Sequence, residues 1–339
     1  MIFGKAKVDP AGAAITRFWS WWAKARDRDL TDAGLIEQMH QRVSAIDPAL
    51  EWEFASGMSA RHALVVSAGG DPALRSLTER WRRAGPPGDE IYEYAAARRP
   101  DPAALRNPLA IAGRQIDLSA LRFAGRPDPS TGMVDVEVWH PAFGSMTDLH
   151  RSTVKFLALD WLLGEDTVEI WLGRISVTTE PGPALTGAEL SALVAAQIPA
   201  HGKLPWRSLT GIRAGHAWMA AAQAPLRAAT HPAHDLHVRI DVPYEDRVSN
   251  GLPTRPALDE LYALEDRLYQ RADGAVLVAH EMCDGRWTNH FYADRRAADD
   301  ALRPLVSAWP HGEIRTTTTL DPRWSAVTHL AAGSRAGRT

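Results

Sequence analysis

The hydrophobic positions change period several times along the chain, and each change marks an element. Ile15, Phe18, Trp19 and Trp22 recur at i, i+3, i+4 and i+7, which predicts an amphipathic helix over residues 15–25 with Trp21 off its apolar face. Leu35, Met39, Val43 and Ile46 predict a second helix from about residue 31, stopped by Asp47-Pro48. The period then shortens. Residues 50–55 and 63–67 read as a hairpin around Ser-Gly-Met-Ser, Gly69-Gly70-Asp71-Pro72 opens a helix bearing Leu74, Leu77 and Trp81, and residues 91–96 read as a strand. The stretch 120–177 echoes that order, with strands at 121–124 and 134–140, a helix over 148–163 closed by Gly164, and a strand over 168–177. A short Ala/Leu-rich helix follows at 187–199.

Beyond residue 235 the pattern is clearest. A strand at 236–242 leads to a helix over 256–271 with Leu258, Leu261, Leu264 and Leu268 inward. Strands at 275–282 and 287–292 flank Asp284-Gly285, a pair that tolerates positive φ at both turn positions. This hairpin sets Val278 opposite Phe291 and Met282 opposite Trp287, and a helix over 297–306 and a strand over 313–319 complete it. The order β-α-β-β-α-β is the split βαβ, or ferredoxin-like, plan, an antiparallel sheet with helices on one face. The fold class is therefore α+β, with a ferredoxin-like C-terminal part and an N-terminal α+β region of related ββαβ units.

At 339 residues the chain exceeds what one core usually holds, so more than one domain is expected. Prolines 181, 183, 199 and 205 place the main boundary near residue 200. This gives an N-terminal region over 1–200, divisible at about 100, a C-terminal domain over 201–332, and a disordered polar tail over 333–339. The net charge of −3 argues against a nucleic-acid binder of the basic-patch kind. Residues 235–330 carry 16 acidic against 11 basic side chains, a balance that repels phosphate and anionic membranes and attracts a basic protein partner. Arginines outnumber lysines 33 to 5, but they are scattered among acids and form no phosphate-binding cluster. Cys283 is the only cysteine, so no internal disulfide forms; with no apolar N-terminal stretch in the sequence, the expected compartment is the cytoplasm.

The strand ending in Val242-Pro243-Tyr244, the segment Asn250-Gly251-Leu252-Pro253-Thr254, the strand end His290-Phe291-Tyr292-Ala293-Asp294 and the segment Asp321-Pro322-Arg323-Trp324 together resemble the bacterial family catalogued as domain of unknown function 695. The last two segments are also similar to the ribonuclease E activity regulator B family. That second resemblance implies an acidic ferredoxin-like module that acts by binding a protein; neither resemblance implies a reaction or a cofactor.

Catalytic and ligand motifs give little. There is no nucleophile elbow, Walker loop or dinucleotide fingerprint. Asp71 follows Gly69-Gly70 where an anion would sit, so an ordinary cap is expected. His231, His234 and His237 have tempting spacing for a metal, but Pro232 breaks any helix there and His237 falls in a strand. Cys283 sits beside a hairpin turn with Arg286 and Asp284 opposing one another in their effect on the thiol. The acid pairs 245–246, 259–260 and 299–300 read as solvated faces. Trp19 and Trp22 are expected in a core, whereas Trp21, Trp309 and Trp324 divide evenly between core and interface.

Topology points to one end of the C-terminal sheet. The loop 244–255, the turn 283–286 and the link 309–312 meet there, so Tyr244, Asn250, Arg286 and Trp309 are the candidate binding residues. The first expectation is a non-catalytic protein-binding or regulatory module, with no cofactor and no catalytic residue. The alternatives are a hydrolase or other enzyme working on a small molecule between the two halves, and a metal-binding protein using the histidines at 231–237.

Overall fold

The computed structural model describes residues 10–271, 274–295 and 309–331. Two three-stranded sheets and one six-stranded sheet carry the chain, beside a small two-stranded hairpin.

The first unit begins with α1 (Pro10–Ala25) and α2 (Ala33–Ser44), the latter capped by the Asp32 carboxylate on Gly34 N. The hairpin β1 (Glu51–Ser56) and β2 (His62–Ser67) follows, then α3 (Arg75–Ala84), then β3 (Tyr92–Ala95) parallel to β2. Aromatic rings fill its core. Trp19 stacks on Trp81 with centroids 4.7 Å apart and donates to the Trp81 carbonyl at 2.8 Å. A Cβ on Gly85 would lie 2.4 Å from Trp19, so this contact admits only glycine. Trp81 is fully buried, and truncating such a ring to alanine costs about 3–5 kcal/mol.

A small hairpin, β4 (Leu109–Ile111) and β5 (Arg114–Ile116), leads to a second unit of the same plan. Strands β6 (Arg122–Asp128) and β7 (Met133–Trp139) pair antiparallel, the helix α4 (Asp148–Leu163) crosses over, and β8 (Leu172–Thr178) returns parallel to β7. The strand expected over 168–177 is shorter than its pattern suggested. Gly164 ends α4 at φ 83, and residues Glu165–Trp171 form a second short helix, α5, with Glu165 and Asp166 in its first turn, where carboxylates suit the helix dipole. The helix α6 (Gly187–Ala195) closes the unit with a full Thr186/Glu189 capping box.

The six-stranded sheet has the order β14-β11-β13-β12-β10-β9, formed by β9 (Trp206–Arg213), β10 (His216–Gln223), β11 (Leu236–Pro243), β12 (Ala275–Cys283), β13 (Arg286–Ala293) and β14 (Arg315–Leu320). Its last four strands run in the order expected of the split βαβ, each antiparallel to its neighbour, and β9 and β10 extend that sheet beyond β12. The helix α7 (Arg255–Arg271) covers one face through Leu261, Leu264 and Leu268. The helix expected over 297–306 and the tail at 333–339 lie outside the described residues. The opposite face packs on the C-terminal turn and on α8 (Thr328–Ala331) through Tyr292, Trp324, Val327 and Leu330.

The hairpin of β12 and β13 turns at Asp284 and Gly285, with φ 43 and 77, and sets Met282 against Trp287 as expected. The partner of Phe291 is Leu277 rather than Val278, because a bulge between Leu277 and Ala279 inserts Val278. The bulge turns Val278 and Ala279 to the same face, into the core under α8, while Leu277 before it and Met282 after it both enter the core under α7. Trp324, undecided from sequence, is buried and stacks on Tyr292 at 4.2 Å.

Among the described residues, three ion pairs tie the first unit to the C-terminal part: Arg83–Asp294 at 3.7 Å, Asp71–Arg323 at 2.8 Å and a third that is fully buried. Arg80 of α3 donates to Asp235, just before β11, at 2.7 Å, with side chains 4% and 2% exposed. Ser76 adds a hydrogen bond to the same carboxylate oxygen at 3.1 Å. Removing one partner leaves a buried charge, so Asp235→Ala is expected to lower unfolding free energy by about 3–5 kcal/mol in chemical denaturation. The double replacement Arg80→Met/Asp235→Leu is expected to recover most of that loss; a double variant no better than the single one would refute this account.

Candidate functional site

The strongest candidate is a cavity of about 340 Å³ at the junction of the two N-terminal units. Three local features build it. Gly69 and Gly70, at φ 59 and 80, turn the chain sharply after β2, a conformation glycine adopts without strain. Asp71 then caps the next turn on Ala73 N, as its position predicts. Across from them, Gly164 breaks α4 from α5 and swings Glu165, Asp166 and Glu169 to the same region as Asp160.

Two of these four carboxylates hold the structure. Glu165 is buried and accepts from Gly70 N and Arg98 N, each at 3.1 Å. The anion at the Gly69-Gly70 turn is thus the protein's own side chain. Asp166 receives a two-pronged contact from Arg75, at 2.7 and 2.8 Å. The other two carboxyl groups are less committed. Asp160 is 17% exposed and lies 3.6 Å from Arg98, whose charge is shared with Glu51 and Glu53. Burial, and behind it the neighbouring Glu165, pushes the Asp160 carboxyl up to about 7. Burial also raises Glu169, against the pull of Arg227. Glu169 has no hydrogen-bonding partner among the described residues. Phe156, half exposed, and the aliphatic Val168 and Ile175 complete the lining. A second cavity, of about 400 Å³, is bordered by Ala331, the last described residue, and has no comparably shifted carboxyl in its lining.

The sequence-derived candidates lie elsewhere. Tyr244, Asn250, Arg286 and Trp309 do share one end of the C-terminal sheet, but mostly spend their polar groups on the local backbone. The buried Tyr244 hydroxyl donates to Gly251 O at 2.9 Å, and burial raises it to about 12. Trp309 donates to Pro243 O at 2.7 Å, and Asn250 accepts from Leu252 N at 3.2 Å. Arg286 stands 3.9 Å from Asp241 and is half exposed. Cys283 has its thiol raised by burial, contrary to what a nucleophile needs.

Comparison with known families adds one point. Residues 210–330 match the model of a family of unknown function, DUF695. No curated protein and no solved structure matches the chain. The DUF695 segment spans the six-stranded sheet from Thr210 in β9 to Leu330 in α8. Of the cavity lining it supplies only Arg227 and Ala229; the carboxylates come from outside it. Among the described residues, no helix is long and apolar enough to cross a membrane.

The histidines of the DUF695 segment separate rather than converge. His231 and His234 meet edge to face at 5.6 Å, while His237, in β11, faces His290 with its Nε2 3.0 Å from Nδ1. Among the described residues no three His, Cys, Asp or Glu side chains are grouped to hold a metal. His290 in turn lies 3.5 Å from the buried Glu281, which also accepts from Trp218 and Arg213, each at 2.8 Å. Burial, with His290 next, lowers His237 to about 4.

A folded-state value below that of the unfolded chain means stability fully present above the unfolded value. That contribution is lost as pH falls toward 4. His237 is thus expected to cost on the order of 3 kcal/mol between pH ~6.5 and ~4. Denaturant titrations across that window should show a shallower pH slope for His237→Gln; an unchanged slope would refute the assignment.

Proposed function

We propose that this chain is a binding protein for a small organic cation, an amine or guanidine with a short apolar body, held in the cavity between α4, α5 and the turn after β2. One observation carries the reading: Asp160 and Glu169, both raised by burial, share a cavity with an exposed aromatic ring and aliphatic side chains. A carboxyl group raised by burial gains most when a cation arrives, because the incoming charge offsets its desolvation. Phe156 offers a ring face for cation–π contact, as it already does to Lys155 Nζ at 4.2 Å. The lining contains no Ser, Thr, Cys, His or Tyr, which supports binding over nucleophilic chemistry.

Asp160 is protonated below about 7 and charged above it, so cation affinity rises with pH. Calorimetric titration with simple amines and guanidines should give affinities at least ~10-fold higher at pH 8 than at pH 6. Asp160→Asn should weaken binding at pH 8 and flatten the pH dependence. Equal binding of matched neutral alcohols, or a pH profile unmoved by Asp160→Asn, would sink the proposal.

A second reading is the regulatory, protein-binding role, with a basic partner contacting the acidic C-terminal sheet. It draws support from the resemblance to a protein-binding regulator and from the loop at 244–255. That loop is held in one shape by Tyr244, Trp309 and the Arg247–Asp284 ion pair at 2.8 Å, and it leaves Glu245, Asp246 and Val248 exposed. In a pull-down from the native host, Glu245→Lys/Asp246→Lys should release a stoichiometric basic partner; a partner retained unchanged removes this loop from the account.

A further inference from the structure

The outer edge of β9 carries no partner strand among the described residues; the strand pairs on one side only, with β10. It runs for eight residues, Trp206–Arg213, without a proline or a bulge, and its charges are confined to Arg207 and Arg213. Trp206 is 43% and Ile212 79% exposed, and both lie on the same sheet face as Met219, itself 37% exposed.

The backbone direction follows from the turn. Ala214 and Gly215, at φ 50 and 84, form a two-residue hairpin loop, so the flanking pair Arg213 and His216 exchanges both hydrogen bonds. Residues 207, 209, 211 and 213 therefore bond toward β10, and the N–H and C=O groups of Trp206, Ser208, Thr210 and Ile212 point outward. An antiparallel partner has to meet those four.

We infer that the occupant is a second copy of this chain, paired β9 to β9 about a two-fold axis at Leu209. In that register Trp206 lies opposite Ile212 of the partner and Ser208 opposite Thr210, so each exposed apolar side chain gains an apolar cross-strand neighbour. Arg207 falls opposite Gly211, where there is no side chain to crowd it, and is already tied to Pro129 O of its own chain. The register centred on Thr210 sets Arg207 against Arg213, like charges directly opposed, and the one centred on Ser208 leaves Ile212 beyond the paired strand. Charge and apolar pairing thus select one symmetric arrangement, and the interface is isologous.

Light scattering on the full-length chain should give twice the 37.2 kDa protomer mass. Thr210→Pro removes an outward N–H without touching the β10 ladder, and is expected to weaken dimerisation at least ~10-fold with an unchanged circular dichroism spectrum. In a Cys283→Ser background, Leu209→Cys should cross-link two copies when oxidised glutathione takes up the two thiol hydrogens. A non-hydrogen-bonded antiparallel pair brings its Cα atoms to ~4.5 Å, within disulfide reach. Thr210→Cys should not cross-link. A wild-type chain that stays monomeric at about 100 µM overturns the inference. So does a dimer indifferent to Thr210→Pro, or one that cross-links through position 210 and not 209; if Thr210→Pro fails to fold, the cross-linking pair decides alone.

Discussion

The buried pair between Arg80 and Asp235 is the constraint on which the assembly of this chain rests. It joins α3, whose other face holds the tryptophan core, to the residue that leads into the central strand β11. Its oxygen and nitrogen atoms are out of water, so the charges are tolerable only together. The helix that supplies Arg80 also supplies Arg75, which reaches the other way to Asp166 at the start of α5. One ten-residue helix therefore carries two guanidinium groups that orient its own unit against both neighbours. The cation cavity is a product of that arrangement. Its walls come from the turn before α3, from α4 and α5, and from Arg227 of the connection between β10 and β11, and no single unit encloses it.

Much of the fold was legible because local signals agreed with tertiary demands. The bounds of α4 follow from its capping threonine and from Gly164, and the Asp-Gly turn announced the hairpin of β12 and β13. Two stretches misled for identifiable reasons. Val168, Ile170 and Trp171 look like a strand, yet Glu165 and Asp166 favour a helix start, and the start won. Strands β9 and β10 went unread because their turn is Ala-Gly rather than Asn-Gly or Asp-Gly, and because Ala-Trp-Met-Ala-Ala-Ala lacks polar alternation.

The site was far less legible. Glu165, Asp166 and Glu169 are visible as an acidic run, but such a run is usually a solvated helix face. Only the break at Gly164 turns them toward Asp160, and only the packing of a distant Gly69-Gly70 turn buries Glu165. The histidines show the converse. Their spacing suggested convergence, but strand geometry sends His237 to His290 and leaves His231 stacked near Trp324.

The extra residue in β12 has a consequence of its own. By turning Val278 and Ala279 to the same side, it resets the alternation of the strand, so that Leu277 and Met282, five positions apart, both serve the oily compartment under α7 while Val278 and Ala279 serve the one under α8. The clusters beneath α7 and α8 share no buried hydrophobic side chain. The layer acts as a partition, and each side is left to vary in sequence without the consent of the other.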